Sequence, residues 1–216
     1  MKLAVFDFDS TLMDGETLEF LAKEINLQEQ IAAITKRAMN GEIDFFESLI
    51  ERVALLKGLE QSKVEDICRN LPLMNGAKTI ISELKKAGFK TVCFSGGFKS
   101  ATIPARHVLG LGADFSNILH FKNGKMTGLV GGEMMFSTSK GEMLQTLQNL
   151  LQIPYEDTVA VGDGANDLSM FKYAKTKVAF CAKEVLKKEA NIVITEKNLE
   201  NAIEPILKMN NILQNG

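Results

Sequence analysis

Two aspartates stand two residues apart where an apolar run ends, in Leu3-Ala4-Val5-Phe6-Asp7-Phe8-Asp9. A second acidic pair follows another such run, in Val159-Ala160-Val161-Gly162-Asp163-Gly164-Ala165-Asn166-Asp167. Side chains in extended backbone repeat with period two, so Asp7 and Asp9 can point into one small volume. Carboxylates that close repel each other unless a cation joins them or one acid keeps its proton. Alone, the Asp-x-Asp of 7–9 would serve equally well as a strand end that caps a turn. A second acid-rich strand end in the same chain is hard to explain by structure and points to a metal site. All-oxygen ligands of this kind select Mg²⁺, which retains waters and usually meets a substrate phosphate. Two further stretches fit an anion. Ser95-Gly96-Gly97 follows an apolar strand over 90–94 and offers backbone N–H groups beside a hydroxyl, although it could also be a bare tight turn. Lys140 lies in the first turn of a helix expected over 139–151, where a cation opposes the helix dipole and a nearby anion would account for it.

These groups need elements that bring them together. The runs ending at Asp7 and Asp163 read as buried parallel strands, which deliver side chains to the carboxyl edge of an α/β sheet, where ligands bind. Between 15 and 70 only helical periodicity is found, with apolar stripes over 17–25, 31–39, 45–56 and 64–71. Asp44 and Ser62 are expected to be N-caps, and Asn40-Gly41 a helix end. A four-helix insertion after the first strand is the simplest account, placed above the carboxyl edge where a lid can cover a site. From 72 onward strands and helices alternate. A hairpin is expected around Asn123-Gly124, strands over 177–181 and 191–195, helices over 77–87, 185–189 and 199–207, and a frayed tail from 209.

Composition limits the alternatives. A chain of 216 residues, 45% hydrophobic, can bury a sizeable core as one domain carrying an insertion. A net charge of −2 gives no basic footprint, so nucleic acid is not an expected partner. Apolar runs fall far short of a membrane span and no leader precedes Asp7, so a cytoplasmic protein without membrane contact is expected. Three scattered cysteines, Cys68, Cys93 and Cys181, fit reduced thiols. His107 and His120 have no partner at ligand spacing and read as structural or solvated.

In order and spacing, Asp7-Phe8-Asp9-Ser10-Thr11-Leu12, Ser95-Gly96-Gly97, Lys140 and Gly162-Asp163-Gly164-Ala165-Asn166-Asp167 resemble the four motifs of the haloacid dehalogenase superfamily of phosphatases. The resemblance covers almost the whole chain. Inside the insertion, Glu16, Met39, Phe45 and Arg52 are similar to positions in members that act on O-phosphoserine. The resemblance implies a Rossmann-like α/β core with a parallel sheet flanked by helices, residues 1–13 and 73–216, and a small helical-bundle cap, residues 14–72. It implies that Asp7 attacks phosphorus to form an aspartyl-phosphate, and that Asp9 protonates the leaving seryl oxygen and then activates water. Mg²⁺ would be held by Asp7, Asp163 and the backbone carbonyl of Asp9, with Asp167 in support. Ser95, Gly96, Gly97, Lys140 and Asn166 would contact phosphate or its neighbours. Glu16 and Arg52 would read the ammonium and carboxylate of the substrate, and Met39 and Phe45 would wall the pocket. The implied reaction releases serine and phosphate, the last step of serine biosynthesis, in a monomer or homodimer. A related phosphatase or phosphotransferase on another small phosphomonoester, such as phosphohomoserine, would differ only in lid and pocket. A receiver-type signalling module is usually far shorter and needs neither an acid two residues after the phosphorylated one nor a helical insertion there.

Overall fold

The computed structural model describes residues 1–39 and 41–212; Asn40, half of the expected Asn40-Gly41 helix end, and the side chain of Met39 lie outside the described residues. Strand β1 (Lys2–Asp7) lies at the centre of one sheet, flanked by β2 (Phe89–Phe98) and β5 (Thr158–Gly162). Beyond β2 come β3 (Ala113–Lys122) and β4 (Lys125–Gly132); beyond β5 come β6 (Thr176–Phe180) and β7 (Ile192–Ile194). Every neighbouring pair is parallel except β3 and β4, an antiparallel hairpin. Its turn residues Asn123 and Gly124 both have positive φ, 51° and 73°, as a two-residue hairpin turn requires. The chain builds outward from β1 on one side, returns, and builds outward on the other. The carboxyl ends of β1, β2 and β5 therefore flank the point where strand order reverses, which in open α/β sheets is where ligands sit.

The central strands β1 and β5 are buried on both faces, so they read as apolar runs instead of alternating ones, whereas the β3–β4 hairpin alternates and exposes one face. Ala4, Phe6 and Cys93 face one cluster, which extends to Ile80, Ile81 and Leu84 of α5 (Ala77–Lys86) and Ala101 and Ala105 of α6 (Lys99–Leu109). Leu3, Val5, Val92 and Phe94 face the other, against Leu144 of α7 (Ser139–Leu151) and Met170 and Phe171 of α8 (Leu168–Phe171). Two short helices pack on opposite faces, α9 (Glu184–Lys187) through Leu186 with the second cluster and α10 (Ile203–Met209) through Ile206 with the first.

Helices α1 (Thr17–Glu24), α2 (Gln28–Met39), α3 (Phe45–Leu55) and α4 (Gln61–Arg69) fill the interval between β1 and α5. The outgoing and returning chains lie side by side, with Met74 N–H donating to Leu12 O and Asp14 N–H donating to Pro72 O, both at 2.9 Å. Asp44 closes a capping box with Glu47 at the start of α3, as its sequence position implied. Ser62 is not a cap. The N-cap is Glu60, two residues earlier, because Glu60 bridges Lys125 and Gln61 N–H donates to Gly124 O, so pairing with the β3–β4 hairpin sets the start of α4. β2 also departs from expectation, continuing past Phe94 to Phe98. Phe94 pairs with Phe115 and Phe98 with Asn117, a bulge that carries Ser95-Gly96-Gly97 out of the ladder. The chain beyond 209 is not frayed at its start: Asn210 is buried and donates to Thr176 Oγ1 and Ile206 O.

Candidate active site

A cavity of about 490 Å³ opens at the carboxyl edge of the sheet under α1–α3. Its lining includes Asp7, Asp9, Glu16, Phe45, Arg52, Gly96, Gly97, Asp163 and Asn166, nine of the residues singled out in the sequence. Ser95, Lys140 and Asp167 are buried behind this wall. Strand alternation and the bulge explain the division. Asp7 ends β1 in register with Phe94 of β2, one residue past the last β1–β5 pair, Phe6 with Val161, while Lys140 enters from the first turn of α7.

Lys140 is 3% exposed and donates at 2.5 Å to both Asp7 Oδ1 and Asp167 Oδ1. Burial alone would lower its pKa, but Asp167 and Asp7 more than offset that, so the ammonium keeps its proton. Asp7, Asp163 and Asp167 each bring a carboxylate oxygen within 4.8 Å of the others. One lysine cannot neutralise three acids. Burial pushes Asp7 well above the usual carboxylate range, with Asp167 adding to the shift and Lys140 opposing it. Burial likewise raises Asp163 to about 6, again with Asp167 contributing. An all-oxygen donor set with excess negative charge fits a hard divalent cation, which would hold these acids ionised. Asp167 is already committed within the protein, since its second oxygen accepts the N–H groups of Asp163 and Gly164 at 3.0 Å. A Cβ on Gly162 would lie 2.3 Å from that oxygen, so this position must be glycine.

The Asp9 carboxylate is held differently. Its Oδ1 accepts both the N–H of Thr17, at 2.7 Å, and the Thr17 hydroxyl, at 2.6 Å. Burial raises the Asp9 pKa and the two Thr17 bonds oppose the rise. Asp9 Oδ2 lies against Gly97, where a Cβ would come within 2.7 Å of it; at Gly96 a Cβ would meet Phe45 at 2.9 Å. A side chain at Gly97 would therefore press on both Asp9 and Ser95, while one at Gly96 would displace the tip of the Phe45 ring. The N–H of Gly97 donates to Ser95 Oγ at 2.9 Å, a bond within the turn that the sequence does not announce. Arg52 Nε donates to Ser48 O one turn back on α3. Burial lowers the Arg52 pKa, and Glu16 and Asp9 oppose that shift. Glu16 accepts the Ser10 hydroxyl at 2.6 Å. Phe46 of α3 stacks on Phe136, ahead of α7, with ring centroids 5.2 Å apart and planes 13° from parallel. Thr17, Ser10, Phe46, Phe136 and the lining residue Lys183 escaped the sequence reading; Ser10 and Thr17 lie near the acids in sequence, but each bonds the acid farther from it, Ser10 to Glu16 and Thr17 to Asp9.

Burial lifts Glu16 from 4.5 to about 7, with Asp9 adding to the shift. Because the folded protein binds this proton more tightly than the unfolded chain, wild type should lose stability relative to Glu16→Gln as pH rises from 4.5 to 7. The relative change should be about 2 kcal/mol, allowing for partial exposure. Denaturant midpoints of the two proteins across that window check it; parallel curves would contradict it.

Comparison with known proteins agrees with this geometry. The family model for haloacid dehalogenase-like hydrolases matches residues 1–175. A phosphoserine phosphatase from Wolinella succinogenes is 64% identical over 203 residues, covering 94% of this chain and 98% of its own. One from Methanocaldococcus jannaschii is 45% identical over 205 residues, covering 95% of this chain and 97% of its own. Among solved structures, a substrate-bound phosphoserine phosphatase superposes with a TM-score of 0.89 at 45% identity, covering 94% of this chain and 97% of the other. A phospho-aspartyl intermediate analogue of phosphoserine phosphatase reaches 0.90 at 45% identity, covering 94% and 98%. With its acid-bearing strand ends, its buried lysine and a helical insertion after β1, the chain belongs to the haloacid dehalogenase-like hydrolases.

Proposed function

We propose that the protein is a Mg²⁺-dependent phosphoserine phosphatase that hydrolyses O-phosphoserine to serine and phosphate. The observation that carries this reading is the Asp7–Lys140–Asp167 contact beneath a cavity that also holds Asp9, Glu16 and Arg52. The 64% identity to a phosphoserine phosphatase over nearly the full chain supports the substrate. An Asp7 oxygen attacks phosphorus as the bond to the seryl oxygen breaks, and Asp9 gives that oxygen its proton. Asp9 then takes a proton from water, which attacks the aspartyl-phosphate; phosphate leaves and the Asp7 carboxylate is restored. Asp7, Asp163 and the backbone carbonyl of Asp9 would hold the cation, which supplies charge neutralisation between the nucleophile and the phosphate dianion. Lys140 adds fixed positive charge beside Asp7. Asp167 orients Lys140 and the 163–164 backbone. Ser95, Gly96 and Asn166 receive the phosphate oxygens; the Gly97 N–H, expected to join them, donates to Ser95 Oγ before substrate enters, which leaves the Ser95 hydroxyl proton free to donate.

Residues 14–72 act as the lid over residues 1–13 and 73–216. Glu16 takes the substrate ammonium and Arg52 its carboxylate, a pairing that selects an amino acid. Phe45 covers Gly96 and walls the pocket, and Phe46 stacked on Phe136 holds α3 down over it. Met39 closes the same wall in this reading. Among the described residues no helix is long and apolar enough to cross a membrane; with three unpaired thiols, that supports a cytoplasmic enzyme. Phosphate release from phosphoserine, phosphothreonine, phosphohomoserine and phosphoethanolamine, with Mg²⁺ and after chelation, tests the function. Phosphoserine should be strongly preferred and chelation should stop turnover; full activity after exhaustive chelation, or preference for another ester, overturns the reading. Arg52→Ala should lower kcat/KM for phosphoserine about tenfold to a hundredfold through loss of a charge-assisted contact. Phosphoethanolamine, which lacks the carboxylate, should not feel that loss. Equal losses on both substrates would show that Arg52 supports the lid instead of reading substrate.

A further inference from the structure

Asn117 lies on β3 beside the β2 bulge, and its side chain is fully buried. Its Nδ2 donates to Gly96 O at 3.0 Å and to Met134 O at 3.1 Å, while its Oδ1 accepts the Met134 N–H at 2.9 Å. Both amide hydrogens are therefore used. The 96–97 peptide is held at each end, its carbonyl by Asn117 and its N–H by Ser95 Oγ. On the other side, Met134 leads to Phe136, whose N–H donates to Ser139 Oγ and whose carbonyl accepts the Ser139 N–H, immediately before Lys140. The site leaves little slack: a Cβ on Gly132, at φ +147°, would lie 2.7 Å from Asn117 Cα. We infer that Asn117 is a positioning residue for phosphate: it sets the distance between the Ser95–Gly97 turn and the segment that presents Lys140, without touching substrate itself. This rests on the proposed phosphatase reading, in which phosphate lies between those two pieces. A buried asparagine that only fills the bulge would hold the fold together and leave phosphate affinity alone.

The test compares Asn117→Ala and Asn117→Asp with Asn210→Ala, which removes another buried asparagine bonded only to Thr176 and Ile206, away from the site. Asn117→Asp keeps the volume and the acceptor for Met134 N–H but removes both donors. Thermal midpoints, phosphoserine KM and kcat, and the competitive Ki of inorganic phosphate are measured for each. In Asn117→Ala the phosphate Ki and the phosphoserine KM should rise together by about tenfold, the size of one lost positioning bond, with a smaller fall in kcat. Asn210→Ala should lower the midpoint and leave Ki unchanged. A wild type without phosphoserine hydrolysis would remove the underlying phosphatase reading. An active wild type whose Asn117 variants lose stability but keep the phosphate Ki would overturn the positioning role alone. Failure of both Asn117 variants to fold would do the same, marking the residue as structural.

Discussion

Asp7→Asn is expected to end turnover, lowering kcat by at least about 10⁴-fold, because it removes the proposed nucleophile, on which both half-reactions of the proposed mechanism depend. The loss should not be a folding loss. Asparagine has nearly the same volume, Asp7 is buried at the end of a central strand, and the change removes one of three clustered carboxylates that share one lysine. Burial and Asp167 already hold the Asp7 pKa well above normal, so ionised Asp7 costs the cation-free protein stability at neutral pH. The variant should therefore melt no lower than wild type at pH 7.5 without divalent cation, and higher if the carboxylate repulsion dominates. Acid-quenched reactions with ³²P-phosphoserine provide the direct measurement. Wild type should trap label on protein and the variant none. Label on Asp7→Asn would assign the nucleophile elsewhere.

The acids that carry this expectation were legible because their signals are local. Apolar runs that stop at Asp7 and Asp163 encode strand, burial and sheet edge together, and Lys140 stood out by opposing its helix dipole. Asp44 and Ser62 both stand ahead of helical stripes, and Asp44 does cap its helix, where Glu47 three residues on completes a box with it. Contacts between distant segments have no such period. Phe46 and Phe136 meet across 90 positions, and Asn117 reaches Gly96 across 21. Thr17 is an intermediate case, visible as the start of α1 but not as the double donor to Asp9, which depends on how the chain turns between them. Tertiary pairing also moved element ends. The hairpin contact at Gly124 drew the start of α4 past Ser62, and the bulge opposite Asn117 let β2 continue through two glycines that read as a stop.

Lys140→Met should combine the second-largest loss of rate with the largest loss of stability. The methionine fills most of the same space but leaves Asp7 and Asp167 without the ammonium that each contacts at 2.5 Å. Removing one partner of a buried ionic cluster costs about 3–5 kcal/mol, and the rate should fall at least about 10³-fold as the nucleophile loses fixed positive charge in a dry site. The pH dependence separates this from a simple cavity. Lys140 pulls down the pKa of both Asp7 and Asp163, so without it their folded-state values rise further above those of the unfolded chain. A raised carboxyl destabilises as pH climbs through the interval between the two values. The deficit of Lys140→Met should thus be small near pH 4, where the carboxyls hold their protons, and should widen as pH rises through neutrality. Mg²⁺ should raise the melting midpoint of the variant more than that of wild type, since it meets more uncompensated charge. Lys140→Arg, which keeps the charge but presents a planar fork in place of a point donor, should recover most of the stability and little of the rate. A deficit that stays constant from pH 4 to pH 8 would mean that Lys140 stabilises the fold by packing, and that its contacts do not lower the pKa of the Asp7 and Asp163 carboxyls.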